Sequence, residues 1–210
     1  MTEPDVLDLL ERVGAFRKGH FVLTHGRHTD TYINKDAIYP YTRETSTLCR
    51  AMAEQFKDSK VEAVIGPAVG AAILSQWAAY HLTEMNGRDV LGVYADKDGL
   101  GGFILKRGYD KLIAGKRVVV VEDLMTTGGS VKKVIDIVRA CGAEVAGVGV
   151  VCNRGGVEPK DISNPPKLVS LVNVQLDSWE AADCSLCERK IPVNLDVGHG
   201  REFVAKNANH

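Results

Sequence analysis

Residues 117–130 read R-V-V-V-V-E-D-L-M-T-T-G-G-S, and this stretch decides the fold. Val118 to Val121 form a continuous β-branched run, too short for a buried helix, of the kind that makes a central parallel strand covered on both faces. Residues just beyond such a strand lie at the carboxyl edge of the sheet, where open α/β sheets bind ligands. Thr126, Thr127, Gly128, Gly129 and Ser130 come next, and then Val131, Val134, Ile135 and Val138 recur at helical spacing up to the Cys141-Gly142 stop. The small turn therefore opens a helix. Its glycines let successive backbone N–H groups converge on one anion, its hydroxyls add donors, and the positive end of the helix dipole lies behind them. A phosphate monoester fits that description.

Glu122 and Asp123 need a separate reason, because adjacent acids beside an anion site repel a phosphate. They suit a ligand with cis hydroxyls to hydrogen bond, or a bound divalent cation that reverses the local charge. The implied ligand is a phosphorylated ribose. A plainer reading of the same residues is a strand, turn and helix in which the two acids end the strand and Ser130 caps the helix. The stretch contains neither the G-K-[ST] of a Walker A loop nor the G-x-G-x-x-G of a dinucleotide fold.

With these residues in view, V-V-V-V-E-D-L-M-T-T-G-G-S resembles the phosphoribosyl pyrophosphate (PRPP) signature of type I phosphoribosyltransferases. Two further stretches keep to that family's order. Glu62-Ala63-Val64-Ile65 runs into Gly66-Pro67-Ala68-Val69-Gly70-Ala71-Ala72 and a helical segment through Trp77, which is similar to the family's pyrophosphate loop. Small residues there let backbone amides approach an anion closely. Phe21 to Lys35, F-V-L-T-H-G-R-H-T-D-T-Y-I-N-K, is similar to the amino-terminal segment of orotate phosphoribosyltransferases. The resemblance implies transfer of the 5-phosphoribosyl group of PRPP to a nucleobase, orotate first, with magnesium bound mainly through PRPP. Another base, a purine included, and a PRPP-binding regulator without activity are the alternatives. It further implies a type I phosphoribosyltransferase fold, with a small hood built from about residues 1–40 and the C-terminal segment, and a homodimer.

The rest of the chain agrees. Two hundred and ten residues with 45% apolar content can bury one good core, which points to a single domain over 1–210. A net charge of −1, with no long basic run, argues against nucleic acid as a partner. The first ten residues, M-T-E-P-D-V-L-D-L-L, carry acids where a secretory signal has bases, and no apolar run reaches the ~18 residues of a membrane span, so a cytoplasmic protein without a membrane partner is expected. Amphipathic helices are expected around Val6 to Val13 and Leu48 to Phe56. Strands are expected near Val61–Ile65, Val90–Tyr94, Arg117–Val121, Glu144–Cys152 and Lys167–Val172. Their alternation predicts an α/β architecture, a mostly parallel twisted sheet flanked by helices. The last residues, from about Val204, are expected to be disordered or loosely attached.

The resemblance also assigns residues. Glu122 and Asp123 hold the ribose hydroxyls; Asp123 is in addition a stabiliser of positive charge developing on the sugar. Thr126, Thr127, Gly128, Gly129 and Ser130 take the 5′-phosphate, and Gly66, Pro67, Ala68, Val69 and Gly70 the pyrophosphate. Between Asp96 and Lys116, where orotate phosphoribosyltransferases carry a mobile basic loop, Asp96 stands in the place of an arginine and no histidine comes after it. Basic groups return at Lys97, Lys106 and Arg107, either charge-assisted donors to the pyrophosphate on a glycine-hinged flap or solvated residues of a surface hairpin. Arg154, in N-R-G-G, is placed for a bidentate contact to the base, and Arg27 and Tyr32 are weaker candidates for the same task. Cys184 and Cys187 form a C-x-x-C. That motif supplies half of the four ligands a structural zinc needs, with His199, Cys152 or a second chain as candidates to complete a site, and a redox disulfide as an alternative. The expectation is a reduced, metal-free pair tightening a C-terminal loop, and no metal ligand is assigned.

Overall fold

The computed structural model describes residues 1–23 and 25–207. In chain order its elements are α1 (Glu3–Arg12), β1 (Phe16–Val22), β2 (His28–Ile33), α2 (Thr42–Glu54), β3 (Ala63–Pro67), α3 (Gly70–Asn86), β4 (Leu91–Lys97), β5 (Phe103–Ile104), α4 (Tyr109–Ile113), β6 (Arg117–Met125), α5 (Gly129–Ala140), β7 (Glu144–Asn153), β8 (Leu168–Asn173), α6 (Ser185–Glu188) and α7 (Gly200–Asn207). The main sheet runs β5-β4-β3-β6-β7-β8. Every neighbouring pair in it is parallel except β4 with β5.

The valine run shows why the sheet is buried on both sides. Val119 and Val121 enter an apolar core with Leu48, Met52 and Phe56 of the α2 region and Leu74, Ala78 and Leu82 of α3. Val118 and Val120 point the other way, into a second core with Val131, Val134, Ile135 and Val138 of α5. Successive side chains of a strand alternate between faces, so four consecutive valines feed two layers. The expected α/β sandwich is what the chain forms.

Strand order reverses between β3 and β6: from β3 the chain crosses to β4 on one side, whereas β6 pairs on the other. The loops after β3 and β6 thus open side by side at a topological switch point. β6 is longer than its apolar run implies and extends to Met125, carrying Glu122 and Asp123 as strand residues.

A smaller two-stranded sheet, β1 with β2, stands apart from the main one. The C-terminal segment closes on this hairpin: His28 and Trp179 exchange backbone hydrogen bonds of 2.7 and 2.8 Å, the Asn194 amide donates to the His20 carbonyl at 2.7 Å, and the His199 amide donates to the Val22 carbonyl at 2.8 Å. Helix α1, by contrast, buries Val6, Leu9 and Leu10 in the first core. From Val204, where disorder or loose attachment is expected, α7 continues to Asn207 with residues 204–206 exposed, whereas Phe203 just before them packs edge-on against His28 with ring centroids 4.6 Å apart. Residues 208–210, the end of that expectation, lie outside the described residues. No helix among the described residues is long and apolar enough to cross a membrane.

Candidate active site

The turn after β6 has the form its sequence predicts. Gly128 takes a left-handed conformation, φ 75°, and precedes α5 with no side-chain cap. A left-handed residue at that point favours glycine. The reading in which Ser130 caps this helix is therefore corrected: Ser130 lies inside the first turn, and α5 begins without a side-chain cap on its leading N–H groups. A pocket of about 170 Å³ opens over the turn, lined by Glu122 and residues 124–131.

Beside it the two acids are withdrawn from water, Glu122 8% and Asp123 3% exposed. Asp123 Oδ2 accepts from the Lys35 ammonium at 3.0 Å and, by a short hydrogen bond, from the Tyr39 hydroxyl, while Oδ1 accepts from the Leu124 amide at 2.6 Å. Burial, and then the Asp123 charge, push the Glu122 carboxyl up to about 8. Tyr39 is raised well above an ordinary phenol, by burial first and by Asp123 second, which keeps it a donor. Burial alone would lower the pKa of Lys35, but the Asp123 carboxylate outweighs it and the net direction is up. Lys35 and Tyr39 were missed by sequence reasoning. Lys35 ends the segment already compared with the family and Tyr39 lies just past it, but at 88 and 84 residues before Asp123 neither is placed beside the acid by its spacing.

The loop after β3 reaches the same point. A Cβ on Gly70 would strike the Tyr39 hydroxyl and Asp123 Oδ2, and one on Gly66 would strike the Ala71 backbone. Only glycine lets this loop lie against the acid pair. Its Ala68–Val69 peptide is cis, and Val69 is 80% exposed at its tip. A cavity of about 600 Å³ separates this loop and α3 from Tyr94, Asp96 and Tyr109.

The departed basic segment is an antiparallel hairpin of β4 and β5, in which Lys97 faces Phe103. Its turn is organised by Asp98, whose carboxylate accepts from the Leu100 and Gly102 amides at 2.7 and 2.8 Å; these bonds hold its pKa below the usual range. Arg107 pairs with Asp96 and lies over the Tyr94 ring, 5.2 Å from its centre. Lys97 and Lys106 are exposed on this flap, with no polar contact to residues 66–70 or 126–130 among the described residues.

On the opposite side, Arg154 lines a cavity of about 520 Å³ with Asn153, Gly155 and Gly156. Its amide and that of Gly155 donate to the Met125 carbonyl at 2.9 and 3.2 Å. A Cβ on Gly155 would strike the Thr126 carbonyl, so the N-R-G-G turn rests directly on the loop after β6. Arg27 is committed elsewhere, with hydrogen bonds to Ser178 and Glu180 of the C-terminal segment. The Tyr32 ring lies against Phe21 with centroids 5.4 Å apart. The donor set fits a hard divalent cation only in part: Glu122 and Asp123 offer carboxylate oxygens, but one oxygen of Asp123 is already taken by Lys35 and Tyr39. A magnesium ion here would draw most of its ligands from a bound phosphate ester.

Comparison with known proteins agrees with this geometry. Residues 41–188 match the family model described as the phosphoribosyl transferase domain. An orotate phosphoribosyltransferase from Caldanaerobacter subterraneus subsp. tengcongensis is 38% identical over 193 residues, covering 92% of this chain and 96% of that relative. Among solved structures, the orotate phosphoribosyltransferase of Mycobacterium tuberculosis H37Rv superposes with a TM-score of 0.65 at 26% identity, over 81% of this chain and 97% of that one. The enzyme of the same name from Aeropyrum pernix gives 0.62 at 27%, over 80% and 93%.

Proposed function

Since the chain belongs to the phosphoribosyl transferase family, we propose that it is an orotate phosphoribosyltransferase, a pentosyltransferase that converts orotate and PRPP to orotidine 5′-phosphate and pyrophosphate. The observation that carries this reading is the buried Glu122–Asp123 pair set between two anion-suited loops, in a chain 38% identical to an orotate phosphoribosyltransferase over nearly its whole length.

In this reaction a ring nitrogen of orotate forms a bond to C1 of the ribose as the bond from C1 to the pyrophosphate oxygen breaks, through a ribosyl cation-like transition state. The chain positions and neutralises; it supplies no nucleophile. Residues 126–130 hold the 5′-phosphate with the amides of the α5 terminus. Glu122 and Asp123 accept hydrogen bonds from the ribose hydroxyls, and Asp123 stabilises the positive charge that develops on the sugar. Lys35 and Tyr39 fix the direction of the Asp123 carboxylate. Residues 66–70 take the pyrophosphate, assisted by Lys97, Lys106 or Arg107 when the flap folds over; Arg107 must first leave Asp96. Arg154 meets the base carboxylate; Tyr32 is a further contact, and Arg27 joins it only by first leaving Ser178 and Glu180. Magnesium, held mainly by PRPP with Glu122 and the free oxygen of Asp123 as the chain's nearby carboxylates, would supply positive charge against the leaving pyrophosphate. The working protein is a cytoplasmic homodimer, and sedimentation equilibrium checks the dimer directly.

The test is pyrophosphate release from PRPP and magnesium with orotate, and separately with purine bases and uracil. Release with orotate alone is expected. Release with a different base moves the substrate and keeps the chemistry; PRPP binding without turnover on any base replaces the enzyme with a regulator.

A further inference from the structure

Away from the phosphate loops, four side chains from distant parts of the sequence converge in the hood. His20 is on β1, His28 on β2, and Cys184 and Cys187 stand at the start of α6 and within it. One ligand-capable atom from each lies within 4.8 Å of all the others. His20, His28 and Cys184 are buried, and Cys187 is half-buried. Both thiols are free.

Four of the edges of this cluster can be set against those of a tetrahedral zinc site. Zinc–sulfur bonds of about 2.3 Å and zinc–nitrogen bonds of about 2.0–2.1 Å place neighbouring ligand atoms roughly 3.3–3.8 Å apart. Here Cys184 Sγ is 3.6 Å and Cys187 Sγ 3.8 Å from His20 Nε2, and Cys187 Sγ is 3.4 Å from His28 Nδ1. The His20 Nε2 to His28 Nδ1 edge is 2.7 Å, and needs to open by about half an ångström to admit the ion.

The orientation of the rings supports the same conclusion. His20 Nδ1 is 2.8 Å from the Ile191 carbonyl, which can only accept; the proton therefore sits on Nδ1, and the lone pair of Nε2 faces the cluster. For His28 the far nitrogen, Nε2, has no hydrogen-bond partner among the described residues, and its ring packs edge-on against Phe203. The side-chain hydrogen bonds of His28 all lie on the cluster side. Two thiols and two imidazoles held out of water leave donors and acceptors poorly matched, and a cation answers all four at once.

We propose that His20, His28, Cys184 and Cys187 form a structural zinc site that clamps the C-terminal segment onto the β1–β2 hairpin. Four protein ligands leave no open position for substrate, so the ion serves the fold and not the reaction. Zinc is the first-row divalent ion best suited to two thiolates and two imidazoles in a tetrahedron. The sequence expectation is a metal-free cysteine pair, with His199, Cys152 or a second chain as the candidates to complete a zinc site; the completing ligands proposed here are instead His20 and His28, at the other end of the chain. Since His20 lies 164 residues before Cys184, its spacing carries no signal.

The experiment is metal analysis of the full chain purified under reducing conditions, by inductively coupled plasma mass spectrometry. About one zinc per chain is expected, falling at least ~10-fold in Cys184→Ser/Cys187→Ser and in His20→Ala. Should those variants fail to fold, the wild-type chain is stripped with chelator and reloaded with cobalt(II). Tetrahedral d–d bands with thiolate-to-cobalt charge transfer, displaced by one equivalent of zinc, are then the expected signature. A wild-type chain without zinc that also gives no such cobalt spectrum overturns the proposal, and so does zinc retained by a folded double variant. Neither readout depends on transferase turnover.

Discussion

Asp123 gathers Lys35 and Tyr39 onto one oxygen, so its direction is set before any sugar arrives. Asp123→Asn should lower kcat at least ~100-fold, about 2.7 kcal/mol of transition-state stabilisation, while the thermal midpoint shifts by only a few degrees. Steady-state pyrophosphate release and calorimetry on the same preparation check it, and an unchanged rate would exclude the assigned role. Tyr39→Phe removes one of two orienting donors and should cost roughly tenfold in kcat with little change in KM. Glu122 behaves differently, because burial holds its carboxyl protonated up to about pH 8. The folded chain then binds a proton that the unfolded chain releases above its ordinary value of 4.5, so stability without ligand should fall as pH rises from 4.5 towards 8. The slope approaches ~1.4 kcal/mol per pH unit at most, and Glu122→Gln should flatten it in thermal midpoints measured across that range. The acids and the T-T-G-G-S turn were legible in sequence because a strand end and a helix start keep their chemistry contiguous. Lys35 and Tyr39 were not, because only the folded chain brings them to Asp123.

Elements place those residues through close approaches of backbone, Gly70 to Tyr39 and Asp123 and Gly155 to Thr126. At the start of α3, Gly70 lies so near Tyr39 and Asp123 that Gly70→Ala must displace one of them. Turnover should fall at least ~100-fold while far-ultraviolet circular dichroism stays unchanged, since the clash is local to the site. The β4–β5 flap makes a softer demand. Lys106→Ala should raise KM for PRPP several-fold with a smaller effect on kcat, the pattern of binding shared by ground and transition states. Strands were readable wherever both faces are buried, as in β3, β6 and β7, because β-branched runs have few other uses. The flap was less readable: its turn is made by a side chain, Asp98, reaching two amides, and no apolar period announces that.

For the whole molecule, the two apolar layers and the reversal between β3 and β6 put the loops after those two strands at one edge, and the layers at least could be read from the order of segments in the sequence. Omitting magnesium should abolish turnover and readdition restore it, with the fold unaffected, because the core of the chain is complete without that ion. The hood was the least legible part, since it is assembled from contacts between residues more than a hundred positions apart, such as His28 with Trp179 and His20 with Asn194. That separation has a consequence in time. A ribosome adding about 5–20 residues per second finishes Cys184 on the order of ten to thirty seconds after His20. For that interval the β1–β2 hairpin emerges without the segment that closes on it in the folded chain, so the backbone groups of His20, Val22 and His28 wait for partners that are translated last.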